Sequence, residues 1–482
     1  MLDRSTRRLL LGVALALPTP ALAASPPTLE PGLGARVDAV FADVDHEDSP
    51  GCALGIVRGG ALVYARGYGT ANLEHAVPIS PSSVFDIGSM SKQFTALSVA
   101  LLAREGKLSL DDDIRKHLPD MPAYPEPITL RHLIHHTSGL RDYTDYLPLA
   151  GWRTEDLATD AEAYGLITRQ KGLNHRPGHE YLYCNTGYFL LSQIVQRVSG
   201  RSLREFADAR IFGPLGMGTT RFLDDHTRIV PARATGYAPR AGGGFAADMS
   251  DWEQTGDGAV QTTVLDLARW ILNFDDPKVG GADLIRQMQT PTALADGRAH
   301  SYGFGLRTSE YRGLPTVGHG GSWAGYRADL LRFPGEGLAL VCLCNLSTSG
   351  PARRNQAVGD VLLESRFKAP APSRAPEPEA PGPKPLAVQP TVAQLAEYTG
   401  RFWSDELQTT YTLEVSGGSL RIRARNAAEG PLQAVARDRF IVGHLELGFE
   451  RGARGRIAGF HLSVGRIRDL GFVRQEDAPA VN

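Results

Sequence analysis

The run KAPAPSRAPEPEAPGPKP, residues 368 to 385, constrains this chain more than any other stretch. Proline removes backbone donors and favours extended, solvated conformations, so neither a helix nor an inner strand can pass through it. The 482 residues are therefore read as two folded units, 24–367 and 392–482, joined by a linker at 368–391. Length points the same way, because a single core seldom organises so many residues.

The first unit opens with CALGIVRGGALVYARGYG, two short apolar runs around Arg58-Gly59-Gly60 that read as a β-hairpin. It closes with GYRADLLRFPGEGLALVCLCN, two more strands around Pro334-Gly335-Glu336-Gly337, followed by a helix-like run through Leu362 and Leu363. Between these ends helical patterns dominate: Lys92 to Glu105, Tyr188 to Val198, Leu203 to Ile211, and a segment from Thr263 that starts with a capping-box pattern. Strands at both ends with helices inserted give an α/β (α+β) class: one antiparallel sheet flanked by helices, with a helical subdomain. In the second unit YTLEV, SLRIRA, RFIVG, ELGFE, IAGFHL and RDLGFV alternate apolar with polar residues, and about eight short strands are expected to close into a small antiparallel β-barrel.

Residues 1–23 read as an export signal. Arg4, Arg7 and Arg8 precede the apolar run Leu9 to Leu17, and Ala21-Leu22-Ala23 provides a small-residue cleavage site. Arg7-Arg8 ahead of three leucines also fits the twin-arginine variant, so the periplasm or the exterior is the expected destination. The apolar run is too short to span a bilayer, and no membrane span is expected in the mature chain. A formal net charge of −2 gives no reason to expect nucleic acid or an anionic membrane surface as partner. The four cysteines are expected to be unpaired: Cys342 and Cys344 would share one strand face, which bridges poorly, although spacing alone leaves open a distant partner for Cys52.

Chemistry first shows in FDIGSMSKQF. Ser89 and Lys92 are three residues apart and would share a helix face, whereas Ser91 would not. About one or two Ser-x-x-Lys matches are expected by chance in a chain this long, so the context decides. Gly88 permits a sharp turn and KQFTALSVALLA is a strong apolar helix, which places Ser89 at a helix N-terminus, where developing negative charge is favoured. A plain N-cap is the competing role for Ser89. Two further segments supply candidate partners. YLYCNTGYFLL carries Tyr183 and Asn185 just before a helix, and TVGHGGSWAGYR carries His319, Gly320, Gly321 and Ser322. Taken alone, Tyr183 could be core, Asn185 a cap and His319 a strand-end residue.

In this order the three segments resemble the serine β-lactamase and penicillin-binding protein superfamily, in the branch of class C β-lactamases, D-Ala-D-Ala carboxypeptidases, D-aminopeptidases and related esterases. The stretches LSLDDDIRKHLP, ITLRHLIHHTSGL, GDGAVQTTVLDLARW and YGFGL support the likeness. The terminal barrel is similar to lipocalin-like domains appended to some of these peptidases. The resemblance implies an acyl-enzyme on Ser89, with Lys92 and Tyr183 sharing the proton transfers. It also implies that Asn185 holds a substrate amide, that His319, Gly320, Gly321 and Ser322 line the substrate site, and that the backbone N–H groups of Ser89 and Ser322 form the oxyanion hole. No cofactor and no metal are expected. The substrate would be a small peptide, amide or ester, cell-wall peptides included, with a D-amino-acid peptidase or amidase ahead of an esterase or β-lactamase. A non-catalytic binder of β-lactams or peptidoglycan peptides is the alternative from another class.

Three finer expectations follow. A partly buried position near other positive potential should depress the pKa of Lys92, and the same field should make Tyr183 more acidic. His319 stands where many β-lactamases have lysine, and a histidine near pKa 6.5 would recognise a substrate carboxylate weakly and in a pH-dependent way. His132, His135 and His136 are not completed by the glutamate of zinc-hydrolase motifs and are assigned structural roles, with His136 ahead of the Thr137-Ser138-Gly139 turn.

Overall fold

The computed structural model describes residues 29–370, 386, 389–426 and 430–476; the proposed signal segment and most of the linker lie outside the described residues. The first unit is built on a six-stranded antiparallel sheet. Its order is Arg307–Tyr311, Leu314–Trp323, Tyr326–Phe333, Leu338–Cys344, Cys52–Arg58 and Ala61–Tyr68. The two ends of the unit thus meet near its centre, within the single antiparallel sheet expected from strands at both ends.

Leu338–Cys344 is buried along its whole length and Cys52–Arg58 at all but its last residue, so these central strands need cover on both faces. Helix Pro351–Leu362 packs on one face, where Leu54, Ile56, Leu340, Val358 and Leu362 form a cluster. The amphipathic helix Val264–Asp275 packs on the other, against Ala53, Val57, Val341 and Leu343. Thr263 caps it by accepting from the Asp266 N–H, the role its pattern indicated.

The expectation of unpaired cysteines is wrong at one pair. Cys52 and Cys344 face each other in register across adjacent strands, 4.0 Å apart at Cα, and form a disulfide. Cys342 and Cys184 are free and buried. The sheet brings together residues 292 apart in sequence, an adjacency that spacing cannot reveal.

The second unit is a nine-stranded antiparallel sheet curled into a nearly closed barrel. Its edge strands, Gly430–Pro431 and Gln433–Ala436, are separated by Leu432 alone, so the chain itself bridges the seam. Phe402, Phe449, Phe460, Phe472 and Tyr411 fill the interior. The barrel is seated on the helical part of the first unit. Arg141, 4 % exposed at its side chain, pairs with Glu406 at 2.8 Å and donates to the carbonyls of Arg468 and Asp469. Tyr411 donates to Leu149 O at 2.8 Å, and Asn174 exchanges hydrogen bonds with the backbone of Arg466 and Arg468. No described helix is long and apolar enough to cross a membrane.

Candidate active site

Ser89 stands where a short strand, Phe85–Asp86, turns through Gly88 into the 3₁₀ turn Gly88–Ser91 and then, without a break, into helix Lys92–Arg104. Asp86 secures the turn by accepting from the Gly88 N–H at 2.7 Å. Gly88 has φ +48, and a β-carbon there would lie 2.7 Å from the Ser322 nitrogen. A β-carbon on Gly321 would overlap the carbonyl oxygen of Ile87. These two glycines let the strand carrying His319 to Ser322 close directly on the serine turn. Its pairing with Arg307–Tyr311 ends at Gly318, and among the described residues no strand pairs with it beyond that point on this side, which leaves an open edge at the cleft.

Ser89 does not cap the helix; its hydroxyl accepts from Lys92 Nζ at 3.1 Å. Lys92 is fully buried and spends its other donors on Asn185 Oδ1 at 2.8 Å and Asp257 O at 2.6 Å. With two N–H bonds kept on those oxygens, deprotonated Lys92 would turn its lone pair toward Ser89. Ser91 points elsewhere: buried, it accepts from the Val260 N–H at 3.1 Å.

Asn185 is the first residue of helix Asn185–Ser199, which starts three residues before the expected Tyr188. Its N–H donates to Asp142 Oδ2 at 2.6 Å. Asp142 also caps helix Tyr143–Ala150, accepting from the Thr144 N–H at 2.9 Å. One buried carboxylate thus serves two helix N-termini, where negative charge is favoured.

The Tyr183 ring is tilted 37° from that of His136, centroids 4.2 Å apart, and Lys92 Nζ lies 5.0 Å from the Tyr183 ring centre. Its hydroxyl is buried without a hydrogen-bond partner of good geometry among the described residues.

The electrostatics agree with the expected direction for lysine, through burial more than through positive potential, and correct the other two expectations. Burial pulls Lys92 down to about 8, while Asp257 and Asp142 oppose the shift and Arg466 assists it. Tyr183 is pushed above the usual phenol range, not below it: burial dominates, and the nearby Ser89 hydroxyl only partly counters it. His319 is held down to about 3 by burial, with Lys92 and Arg307 adding to the effect, and its Nε2 lies 2.9 Å from the Tyr302 hydroxyl. It is therefore held neutral by its surroundings in this structure, where it offers no cation to a substrate carboxylate. Arg307 also reaches this side, donating to the Tyr181 hydroxyl and lying 5.6 Å from the Tyr302 ring centre.

The histidines of HLIHH are framework. His132 completes a capping box with Thr129, His135 bonds the Tyr302 carbonyl, and His136 bonds Cys184 beneath Tyr183. Two groups of described residues bring three ligand-type atoms within 4.8 Å of one another: Cys52, Cys342 and Cys344, two of which form the disulfide, and Asp225, His226 and Glu253. Neither lines the cleft.

Sequence reasoning missed several neighbours. Asp257 lines the cleft with Tyr143, Trp252, Trp323 and Tyr326, and its carboxylate accepts from the Tyr143 hydroxyl at 3.0 Å. Arg466 comes from the barrel and pairs with Asp142 at 2.8 Å. Asp142 before Tyr143 carried a readable N-cap signal; Asp257 and Arg466 carried none.

The Beta-lactamase family profile matches residues 37–363. A D-aminopeptidase of Gluconobacter oxydans is 32% identical over 313 residues, 65% of this chain and 59% of that protein, so the match spans about three-fifths of the relative's length. A D-aminopeptidase of Cereibacter sphaeroides is 30% identical over 436 residues, covering 90% of this chain and 77% of its own. Among solved structures, the octameric penicillin-binding protein homologue from Pyrococcus abyssi superposes with TM-score 0.61 at 25% identity, over 92% of this chain and 98% of that one. The D-amino acid amidase from Ochrobactrum anthropi SV3 superposes with TM-score 0.58 at 25% identity over 70% and 99%. With the family profile covering most of the first unit and the Ser89–Lys92 pair at the head of its central helix, this chain belongs to the β-lactamase family.

Proposed function

We propose that this protein is an exported serine hydrolase that acylates Ser89 and acts on D-amino-acid peptides or amides. The observation that carries the reading is the buried Lys92 amine, 3.1 Å from the Ser89 hydroxyl and held by Asn185 and Asp257 O. Ser89 attacks the substrate carbonyl while Lys92, poised near neutrality, takes its proton. Burial keeps Tyr183 protonated, which leaves Lys92 as the acylation base; Tyr183 hands its proton to the leaving amine as it takes up the one Lys92 removed from Ser89, so both end as they began. The N–H groups of Ser89 and Ser322 receive the oxyanion, where each donor contributes about 10²–10³ in rate. Water then hydrolyses the ester.

The substrate class rests on the relatives named D-aminopeptidase and D-amino acid amidase, and on a neutral His319 in place of a carboxylate-binding cation. Export rests on residues 1–23, and the Cys52–Cys344 disulfide suits an oxidising compartment. The test is a kcat/KM comparison of a D-aminoacyl amide, a D-Ala-D-Ala peptide, a short-chain ester and a cephalosporin. The amide or peptide should lead, with turnover lost in Ser89→Ala. Fast cephalosporin turnover with both D-amino-acid substrates inert would refute the assignment.

A further inference from the structure

We propose that Arg466, at the tip of a hairpin of the terminal barrel, is a positioning residue for the nucleophile: it neutralises Asp142 and so completes the line Asp142–Asn185–Lys92–Ser89. This rests on the reading of Ser89 and Lys92 given above. The line is continuous in hydrogen-bonding distance. Arg466 Nη1 lies 2.8 Å from Asp142 Oδ2, which takes the Asn185 N–H at 2.6 Å; Asn185 Oδ1 takes Lys92 Nζ at 2.8 Å, and Nζ reaches Ser89 Oγ at 3.1 Å. Asp142 has no exposed surface, and among the described residues Arg466 is its one ion-pair partner. A buried carboxylate left without that partner is an uncompensated charge.

Arg466 is held in place from several sides. Its backbone N–H and its guanidinium both bond Asp145, at 2.9 Å and 3.1 Å, and Nη2 also bonds Thr144 Oγ1 at 2.9 Å. Its carbonyl takes a hydrogen bond from Asn174 at 2.9 Å. Gly465 turns there with φ +54, where a β-carbon would press on Asp145. Arg141, the residue before Asp142, grips the hairpin from beneath through the Arg468 and Asp469 carbonyls and closes on Glu406. The barrel thus delivers a fixed charge to the catalytic unit.

The consequence for Lys92 has a definite sign. Asp257 and Asp142 face it and hold its proton, while burial keeps the neighbouring Cys184 thiol protonated; Arg466 opposes them, and the rings of Tyr183 and Tyr188 lie over its ammonium. His136 and His319 sense its charge but stay neutral through burial. Removing Arg466 leaves the negative side unbalanced, keeps Lys92 protonated to higher pH and loosens the seat of Asn185.

The experiment follows acylation of Ser89 by p-nitrophenyl acetate and by a fluorophosphonate probe, from pH 5 to pH 10, in the full chain. Arg466→Met should slow acylation about tenfold or more at pH 7, with the acid limb displaced upward and the deficit shrinking toward pH 10. Arg466→Lys should recover part of the loss. Asp142→Asn combined with Arg466→Met should outperform Arg466→Met alone, since no charge is left to balance. A loss uniform in pH, or a double variant no better than the single one, overturns the inference. If Arg466→Met does not fold, a limb in Arg466→Lys coincident with wild type together with halved or worse rates at every pH also overturns it. A wild-type chain that neither probe labels at Ser89 would instead overturn the hydrolase reading itself.

Discussion

Asp257→Asn changes one charge and almost nothing else. The asparagine keeps an oxygen for the Tyr143 hydroxyl, now 3.0 Å from the carboxylate, and the backbone oxygen that receives Lys92 Nζ at 2.6 Å is untouched. What is lost is the largest influence holding a proton on Lys92. With Lys92 at about 8, roughly a tenth of the enzyme carries the free amine at pH 7, whereas an unperturbed lysine near 10.4 would offer about four molecules in ten thousand. Burial thus raises the reactive fraction a few hundredfold, and Asp257 sets how far that gain reaches. Removing its charge should move the acid limb of acylation to lower pH, each unit of displacement multiplying the rate on the limb about tenfold. The carboxylate is itself raised to about 6 by burial, so the two profiles should converge below that pH, where Asp257 is neutral in both proteins. They should converge again above about pH 9, where Lys92 is neutral in both, and differ most between pH 6 and 8. The assay is the second-order rate of Ser89 acylation by a nitrophenyl ester at constant ionic strength. A limb that stays in place, or moves to higher pH, refutes the assignment of Lys92 as the base tuned by Asp257.

Ser89→Ala should abolish covalent labelling, while Ser91→Ala, which loses only the bond from the Val260 N–H, should keep substantial acylation; mass spectrometry of the probe adduct decides between them. Gly321→Ala should push the His319–Ser322 edge off Ile87 and lower kcat by about 10²-fold or more if that edge carries an oxyanion donor, with thermal unfolding little changed. Unchanged kcat would remove the Ser322 N–H from the mechanism. Cys52→Ser opens a link spanning 292 residues, for which chain entropy gives up to about 6 kcal/mol, so a marked fall in unfolding temperature is expected, matched by reductant on the wild type. Equal unfolding temperatures with and without reductant would count against the bridge.

How much of the site could be read in advance depended on the range of each interaction. Ser89 and Lys92 share a face because a helix turn puts them there, and the glycines beside them announce a close approach before any partner is known. Tyr183 and His319 were expected near the serine, but the sign of the tyrosine shift and the neutrality of the histidine come from burial, which neither residue's sequence neighbourhood encodes. Asp142, in place to cap the helix that follows it, gave no sign of being the counter-ion of a barrel arginine.

The sequence by itself determined the local and periodic features: the proline break, strands at both ends of the first unit, alternating strands after it, and a serine and lysine held on one helical turn. Only the tertiary structure decided which strands lie side by side, and with that the Cys52–Cys344 bridge. It alone decided that Asp142, Asp257 and Arg466, from segments more than a hundred residues apart, surround one buried amine. The physical reason is the same in each case. Backbone geometry propagates over a few residues, whereas desolvation and charge–charge interaction depend on distance in space, which the chain settles only when its two units pack together.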